Sequence, residues 1–439
     1  MSDTSELWEP STKPPATEQA EQALYARRNY WVTLIEGGAF MGGVAFLNAQ
    51  TLLPDMIQQL GGSALMIALT PSLMQMGFWI APALMAHRVA RMHRYMPLVR
   101  ITGIFQRVPY LIAAIFLFFA SSDGPSILAL VAVAAAPVIS GLSGGASLGA
   151  WQQLLVRCIP ENKRASLFAW RYIISCVLGI IAGFAATHIF REYSLLSAYA
   201  ILHLIAFGFL VVSYFVFLGT KEPHTPAPEG HSLTLLGTLH SMPRIIVANP
   251  VFARYLASRV FRSGHLIIMP FLAIYALEHL GKPSAYLGTL MIAQNVGAII
   301  GNLGAAWLGD RAGGKLVNQL GLGIFIVLAA WAMFASSSTE FIAIFVLMGA
   351  AYFAGEVGAF TLMLEILPTR DRISCLAITS LANIPGMLVA SWISAAVWKN
   401  THSITMLGIA TIFTLLGSIL LLHPLKEPRK SLPQLADTR

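Results

Sequence analysis

About twelve stretches of some 20 mostly apolar residues, divided by short polar loops, run almost the full length of this 439-residue chain. A helix rises ~1.5 Å per residue and the hydrocarbon core of a bilayer is ~30 Å thick, so ~20 apolar residues are what a crossing needs. Charged residues supply 11% of the chain and hydrophobic residues 56%. A soluble chain of this length carries roughly twice that charge share. The pattern therefore predicts an all-α integral membrane protein.

Hydropathy places the spans at about 30–54, 63–86, 97–120, 125–157, 166–190, 194–219, 251–280, 284–308, 315–337, 340–367, 374–398 and 403–424. If the N-terminus is inside, one set of loops carries Arg88, Arg91, Arg94, Lys163, Arg164, Lys221, Arg244, Arg311, Lys315, Arg370 and Arg372. Both tails are basic too, with Lys13, Arg27 and Arg28 at one end and Lys426, Arg429 and Lys430 at the other. The opposite loops hold only Arg191, Lys282 and Lys399. This asymmetry puts both termini in the cytoplasm, explains the net charge of +8 and agrees with an even number of spans. Residues 1–28 lack the apolar core of a cleavable signal and read as a cytoplasmic tail with a short surface helix over Glu18–Arg28. Cys158, Cys176 and Cys375 show neither disulfide nor zinc spacing.

The expected organisation is a tail (1–29), a six-helix bundle (30–219), a proline-bearing cytoplasmic linker (220–250), a second six-helix bundle (251–424) and a C-terminal tail (425–439). The bundles repeat each other. Ile159-Pro160-Glu161-Asn162-Lys163-Arg164-Ala165-Ser166 and Leu367-Pro368-Thr369-Arg370-Asp371-Arg372-Ile373-Ser374 share Pro, Arg and Ser at an offset of 208 residues. Lys221-Glu222-Pro223 and Lys426-Glu427-Pro428 close the two halves. Such repeats mark duplicated transporter halves related by pseudo-symmetry.

After the eighth span stands Ala306-Trp307-Leu308-Gly309-Asp310-Arg311-Ala312-Gly313-Gly314-Lys315. It resembles the G-x-L-x-D-R-x-G-x-K loop of the major facilitator superfamily, with Ala306 for the first glycine. A degraded copy follows the second span, with His87 for Asp and Ala90 for Gly. The resemblance covers about residues 30–424 and implies twelve transmembrane helices in two pseudo-symmetric bundles that rock about a central site. It also implies a cytoplasmic latch between Asp310 and the start of the fifth span near Ala165, with Arg311, Gly313 and Lys315 as its setting; the other reading is a solvated loop.

Ionisable residues inside a bilayer are costly and face a cavity or a partner. Glu36, Arg107, Arg262 and Glu356 lie inside apolar runs, and His265 follows Arg262 by one turn. The resemblance places spans one, four, seven and ten along the central path, which carry Glu36, Arg262, His265 and Glu356. Glu36 and Glu356 are the candidates for carrying a coupling proton, or else form permanent ion pairs. Arg262 and His265 are the candidates for an anionic substrate group. Asn48, Trp151, Gln152, Tyr275 and Tyr352 can add hydrogen bonds, or act as contacts between helices. Arg107, on a span the resemblance makes peripheral, reads as structural. Gly141, Gly144, Gly145, Gly149, Gly297 and Gly301 allow close helix approach, and Pro385 should kink the eleventh span.

The resulting expectation is a monomeric secondary transporter in a cell inner membrane, moving a small anionic or polar organic solute by alternating access. A proton gradient drives it; no bound cofactor and no nucleic acid is called for. A drug–proton antiporter is the alternative, although Gly179 and Gly183 lack the Gly-Pro signature of that group. A copper carrier would use His265 and Met269. An enzyme is excluded by the absence of catalytic motifs and by loops too short for a catalytic domain.

Overall fold

The computed structural model describes residues 16–120, 126–223, 235–366 and 372–425, and these form fifteen helices. In chain order they are α1 (Ala16–Ala45), α2 (Leu52–Gln59), α3 (Ala64–Val89), α4 (Met96–Phe118), α5 (Ile127–Cys158), α6 (Glu161–Glu192) and α7 (Leu195–Phe217). Then follow α8 (Leu235–Ala248), α9 (Pro250–Arg262), α10 (His265–Leu280), α11 (Ala285–Ala312), α12 (Gly314–Ala332), α13 (Ser338–Ile366), α14 (Arg372–Thr401) and α15 (Ile404–Leu422). Among the described residues eleven units are long and apolar enough to cross a membrane, with α9 and α10 counted as one. The first unit, α1 with α2, is the twelfth; its early turns carry Glu18, Glu21, Arg27 and Arg28. Large apolar side chains such as Phe184, Phe215, Leu303, Phe413 and Leu420 lie more than 60% exposed. Only acyl chains can cover so much of them, so this is a multi-pass membrane protein.

Two groups of helices pack mainly among themselves, α1 to α7 and α9 to α15. They meet where α6 crosses α11 and where α3 crosses α14, with α2 and α3 also against α10. In each group one tight crossing depends on glycine. A methyl group at Gly141 of α5 would run into the Met74 carbonyl of α3, and one at Gly297 of α11 into the Val346 carbonyl of α13. At Gly149, by contrast, a methyl would meet only Val89 at 3.8 Å, an ordinary contact, so close approach does not require that glycine. The copy of the boundary repeat at Leu367–Asp371, and the second Lys-Glu-Pro, lie outside the described residues.

The helix expected over Glu18–Arg28 is not separate; it runs straight on as α1. The first span then stops at Ala45 instead of near residue 54. Asn48 causes the break: its Oδ1 accepts from Gln50 N (2.8 Å) and Thr51 N (3.2 Å), and its carbonyl accepts from Leu52 N (3.0 Å). The side chain thus offers the backbone a turn in place of a further helical one. The seventh span breaks too, between Arg262 and His265. There Ser263 N and Gly264 N bond three residues back, to Val260 O and Phe261 O. Pro385, expected to kink the eleventh span, sits inside α14 without ending it.

At the side where α1 begins, the chain leaving α7 is tied down. Asn29 Nδ2 donates to Lys221 O (2.9 Å) and Lys221 N donates back to Asn29 Oδ1 (3.0 Å). The Glu222 carboxylate accepts from Tyr95 N (2.8 Å) and Met96 N (3.1 Å) at the start of α4, where helical N–H groups lack partners. It also faces Arg157 at 3.5 Å, and that guanidinium lies over the Tyr95 ring.

Gly313, at the turn between α11 and α12, has φ 86° and ψ 169°, a conformation nearly confined to glycine. Gly313→Ala should cost about 1–3 kcal/mol of stability, read as a lowered Tm in detergent. Gly304, whose added methyl would meet nothing within 4 Å, should accept alanine without loss. Equal Tm values for the two variants would refute the strain at Gly313.

Candidate functional site

Three arginines organise the interior, Arg107 and Arg262 buried and Arg171 partly buried, each answered differently. Arg107 of α4 is buried and bonds to neutral groups: Nε to Leu210 O (2.8 Å), Nη1 to Gly103 O (2.9 Å) and Nη2 to Ser213 Oγ (3.0 Å). Its guanidinium lies by the Phe40 and Tyr214 rings. These contacts tie α4 to α7 and α1 and leave the group nothing to offer a ligand.

Arg171 of α6 pairs with Glu36 of α1 at 3.0 Å and donates to Thr33 O at 2.9 Å. Gly37 makes room, since a side chain there would occupy the guanidinium's place. Trp151 stacks on the same guanidinium at 5.3 Å and meets Phe168 edge-on. Gln152 is exposed and apart from this cluster.

Arg262, the last residue of α9, pairs with Glu356 of α13 at 2.7 Å. The arginine side chain is 9% exposed and the carboxylate side chain 37%, so one face of the pair is open. The break after Arg262 frees its carbonyl, and His265 Nδ1 lies 2.8 Å from it. A carbonyl only accepts, so Nδ1 carries the hydrogen there. His265 Nε2 is left buried without a partner, as is Arg259 Nε one turn before Arg262. Arg259 and His265 line a narrow cavity with Gln75 and Trp79 of α3, Arg262, Glu356, and Asn383 and Met387 of α14. Tyr352 and Phe325 rings flank His265 at 5.9 and 5.5 Å. Charged, orphaned and aromatic groups from both helix groups therefore converge here. Ligand sites have this composition: few placed polar groups among apolar walls.

The other sequence candidates lie elsewhere. Asn48 Nδ2 donates to Gln294 Oε1 of α11 (3.0 Å), bridging the two groups near the α1–α2 break. The Tyr275 hydroxyl lies 3.4 Å from His279 Nδ1, about three turns along α10 from the cavity. Asp310 and Arg311 are exposed; Arg311 lies over the Trp307 ring. Lys315 Nζ donates to His423 O (3.0 Å) and to Leu425 O at the end of α15. His265 is committed through Nδ1, and among the described residues no group of three or more His, Cys, Asp or Glu could hold a metal ion.

Sequence reasoning missed Arg171, Arg259, Gln75 and Asn383. Arg171 and Arg259 were readable as charges inside or beside apolar runs, but they resemble headgroup arginines until the helices are placed. Gln75 and Asn383 gave no signal beyond being amides in a span.

The family model of the Major Facilitator Superfamily matches residues 251–438. A gallate transporter of Pseudomonas putida is 33% identical over 113 residues, 26% of this chain and 25% of that protein. The 4-hydroxybenzoate transporter PcaK of Pseudomonas aeruginosa is 29% identical over 169 residues, 37% of each. The matched stretches thus span from a quarter to little more than a third of these relatives. Among solved structures, a D-xylose-proton symporter superposes with TM-score 0.67 at 15% identity, covering 90% of this chain and 98% of that one. The partially occluded inward-open xylose transporter XylE of E. coli gives 0.65 at 15% identity, over 91% and 98%. These structures share the fold.

Removing one partner of a buried ion pair leaves a charge unpaired and costs about 3–5 kcal/mol when burial is complete. Glu36→Gln, in the drier pair, should lower the Tm more than Glu356→Gln, whose partner can reach water through the open face. A double change, Glu36→Gln with Arg171→Gln, should recover part of the loss. The reverse order of Tm values would contradict this ranking.

Proposed function

We propose that this chain, whose residues 251–438 match the family model of the Major Facilitator Superfamily, is a proton-driven secondary transporter of small aromatic carboxylates bearing ring hydroxyls. The observation that carries this reading is the cavity in which Arg259 Nε and His265 Nε2 lack partners beside a half-open Arg262–Glu356 pair. The names of the two Pseudomonas relatives supply the substrate class.

In this reading Glu356 occupies Arg262 while the site is empty. A substrate carboxylate competes for the same guanidinium, as charge-assisted pairs do. Protonation of Glu356 weakens its hold and favours the exchange, so proton and anion bind together. The aromatic ring lies among Trp79, Tyr352 and Phe325, and a ring hydroxyl donates to His265 Nε2. Glu36 and Arg171 act as a second protonatable pair in the first helix group. Transport follows from rocking the α1–α7 group against the α9–α15 group, with Asp310 and Arg311 latching the side of the termini. The termini are cytoplasmic, the membrane is a cell inner membrane, and the protein works as a monomer.

Calorimetry with 4-hydroxybenzoate tests the site. Arg262→Ala should weaken binding about 30–150-fold, the loss of a charged hydrogen bond worth about 2–3 kcal/mol. Unchanged affinity would move the carboxylate site elsewhere. Glu356→Gln should retain counterflow exchange but lose uptake driven by an inward proton gradient; full pH-driven uptake in that variant would remove Glu356 from the coupling.

A further inference from the structure

At the side away from the termini lies a carboxylate that none of the foregoing uses. Asp55, on α2, is 1% exposed. Its Oδ2 accepts from the Tyr199 hydroxyl of α7, and its Oδ1 from Gln59 Nε2 at 3.4 Å. Glu36, Glu222 and Glu356 each face an arginine, but among the described residues no cation forms an ion pair with Asp55.

Side chains from α7, α10 and the turn before α11 surround it. From α7 come Tyr199 and, one turn on, His203, whose Nδ1 lies 2.9 Å from the Tyr199 carbonyl. From α10 comes Glu278, followed by His279 stacked on Tyr275. From the turn before α11 come Lys282 and Ser284. Asp55, Gln58, Glu278, Lys282 and Ser284 line one cleft of about 280 Å³. Helices α3 and α5 bring no charged residue to this end. The cleft sits on a seam between the helix groups, where Gln58 Nε2 donates to Glu278 Oε1 at 2.7 Å. Asn48 and Gln294 bridge the same seam deeper in.

We infer that Asp55 is a proton-binding site whose occupancy governs closure of this seam. While the seam is shut, Asp55 is out of water, without a cation and near a second carboxylate. Its ionised form is then costly by several kcal/mol, whereas its protonated form loses no charge solvation. The protonated acid keeps the Tyr199 hydrogen bond on one oxygen and can donate from the other to the Ser284 hydroxyl. Opening the cleft hydrates the carboxylate and releases the proton to the same side. The closed seam therefore binds the proton more tightly than the open one, and by linkage protonation closes the seam. Acid shuts this side; alkali opens it. Naming this side the outer one rests on the proposed orientation, but the protonation itself does not.

The full-length protein in lipid nanodiscs supplies the test. Infrared spectroscopy should show a protonated-carboxyl band at neutral pH that Asp55→Asn removes. Spin labels at Tyr193→Cys and Phe334→Cys, exposed positions at this end of different helix groups, should report a distance that lengthens as pH rises. The native cysteines are buried. Asp55→Asn, a neutral mimic of the protonated acid, should hold the short distance at every pH. Tyr199→Phe removes a hydrogen bond that is stronger to the ionised acid than to the protonated one, and should shift the midpoint upward. Opening that persists with pH in Asp55→Asn, or a carboxyl band that survives it, overturns the inference. Should Asp55→Asn fail to fold, an unmoved midpoint in Tyr199→Phe does the same. Neither readout involves substrate, so failure to bind 4-hydroxybenzoate would sink the proposed substrate and leave this inference standing.

Discussion

A charge carried into hydrocarbon must bring its solvation with it, and the interior of this protein is arranged around that requirement. Arg107 is solvated by carbonyls, a hydroxyl and two ring faces, and so becomes a fastener between helices. Arg171 is solvated by Glu36 and Trp151 inside one helix group. Arg262 is solvated by Glu356, whose outer face remains open, so this partner can be exchanged. The same requirement gives three outcomes, and only the exchangeable pair lies in a cavity shared by both helix groups. Helix positions follow from it as well: Gly37 and Gly355 sit where a side chain would crowd Arg171 and Arg262.

The two interrupted spans have a common logic. A continuous helix hides its backbone, whereas a break exposes carbonyls and N–H groups that something else must satisfy. At Asn48 the amide side chain takes two N–H groups and uses its remaining hydrogens to bridge to α11. At Arg262 the freed carbonyl is taken by His265, and that bond fixes which ring nitrogen carries the hydrogen. Each break thus turns a backbone defect into an oriented side chain.

The spans were legible from hydropathy, because that signal is summed over twenty residues at a time. The breaks were not. Asn48 and Ser263-Gly264 lie within apolar runs whose average hides a local turn. The ionisable residues Glu36, Arg262 and Glu356 stood out against apolar neighbours, yet their partners did not follow from sequence. Arg171 lies 135 residues from Glu36, and only packing brings them together. Asp55 escaped notice because a first span ending near residue 54 makes it a loop acid. Once α2 is seen as a helix tucked against α10, the same residue is among the most buried in the protein. Tyr275 shows the converse: a polar residue on the right span but too far along it.

The anchoring of Lys221 and Glu222 reaches beyond local capping. Asn29 holds the exit of the first helix group to the root of α1, and Glu222 pins it to the root of α4. The anchored chain of the first helix group therefore runs past the last turn of α7 to Glu222, next to Pro223. For anyone dividing this chain into two separately expressed pieces, or threading a reporter through its middle, the cut belongs after that proline. A cut before it would strip the first piece of its own clasp, and the damage would be mistaken for a need of one half for the other.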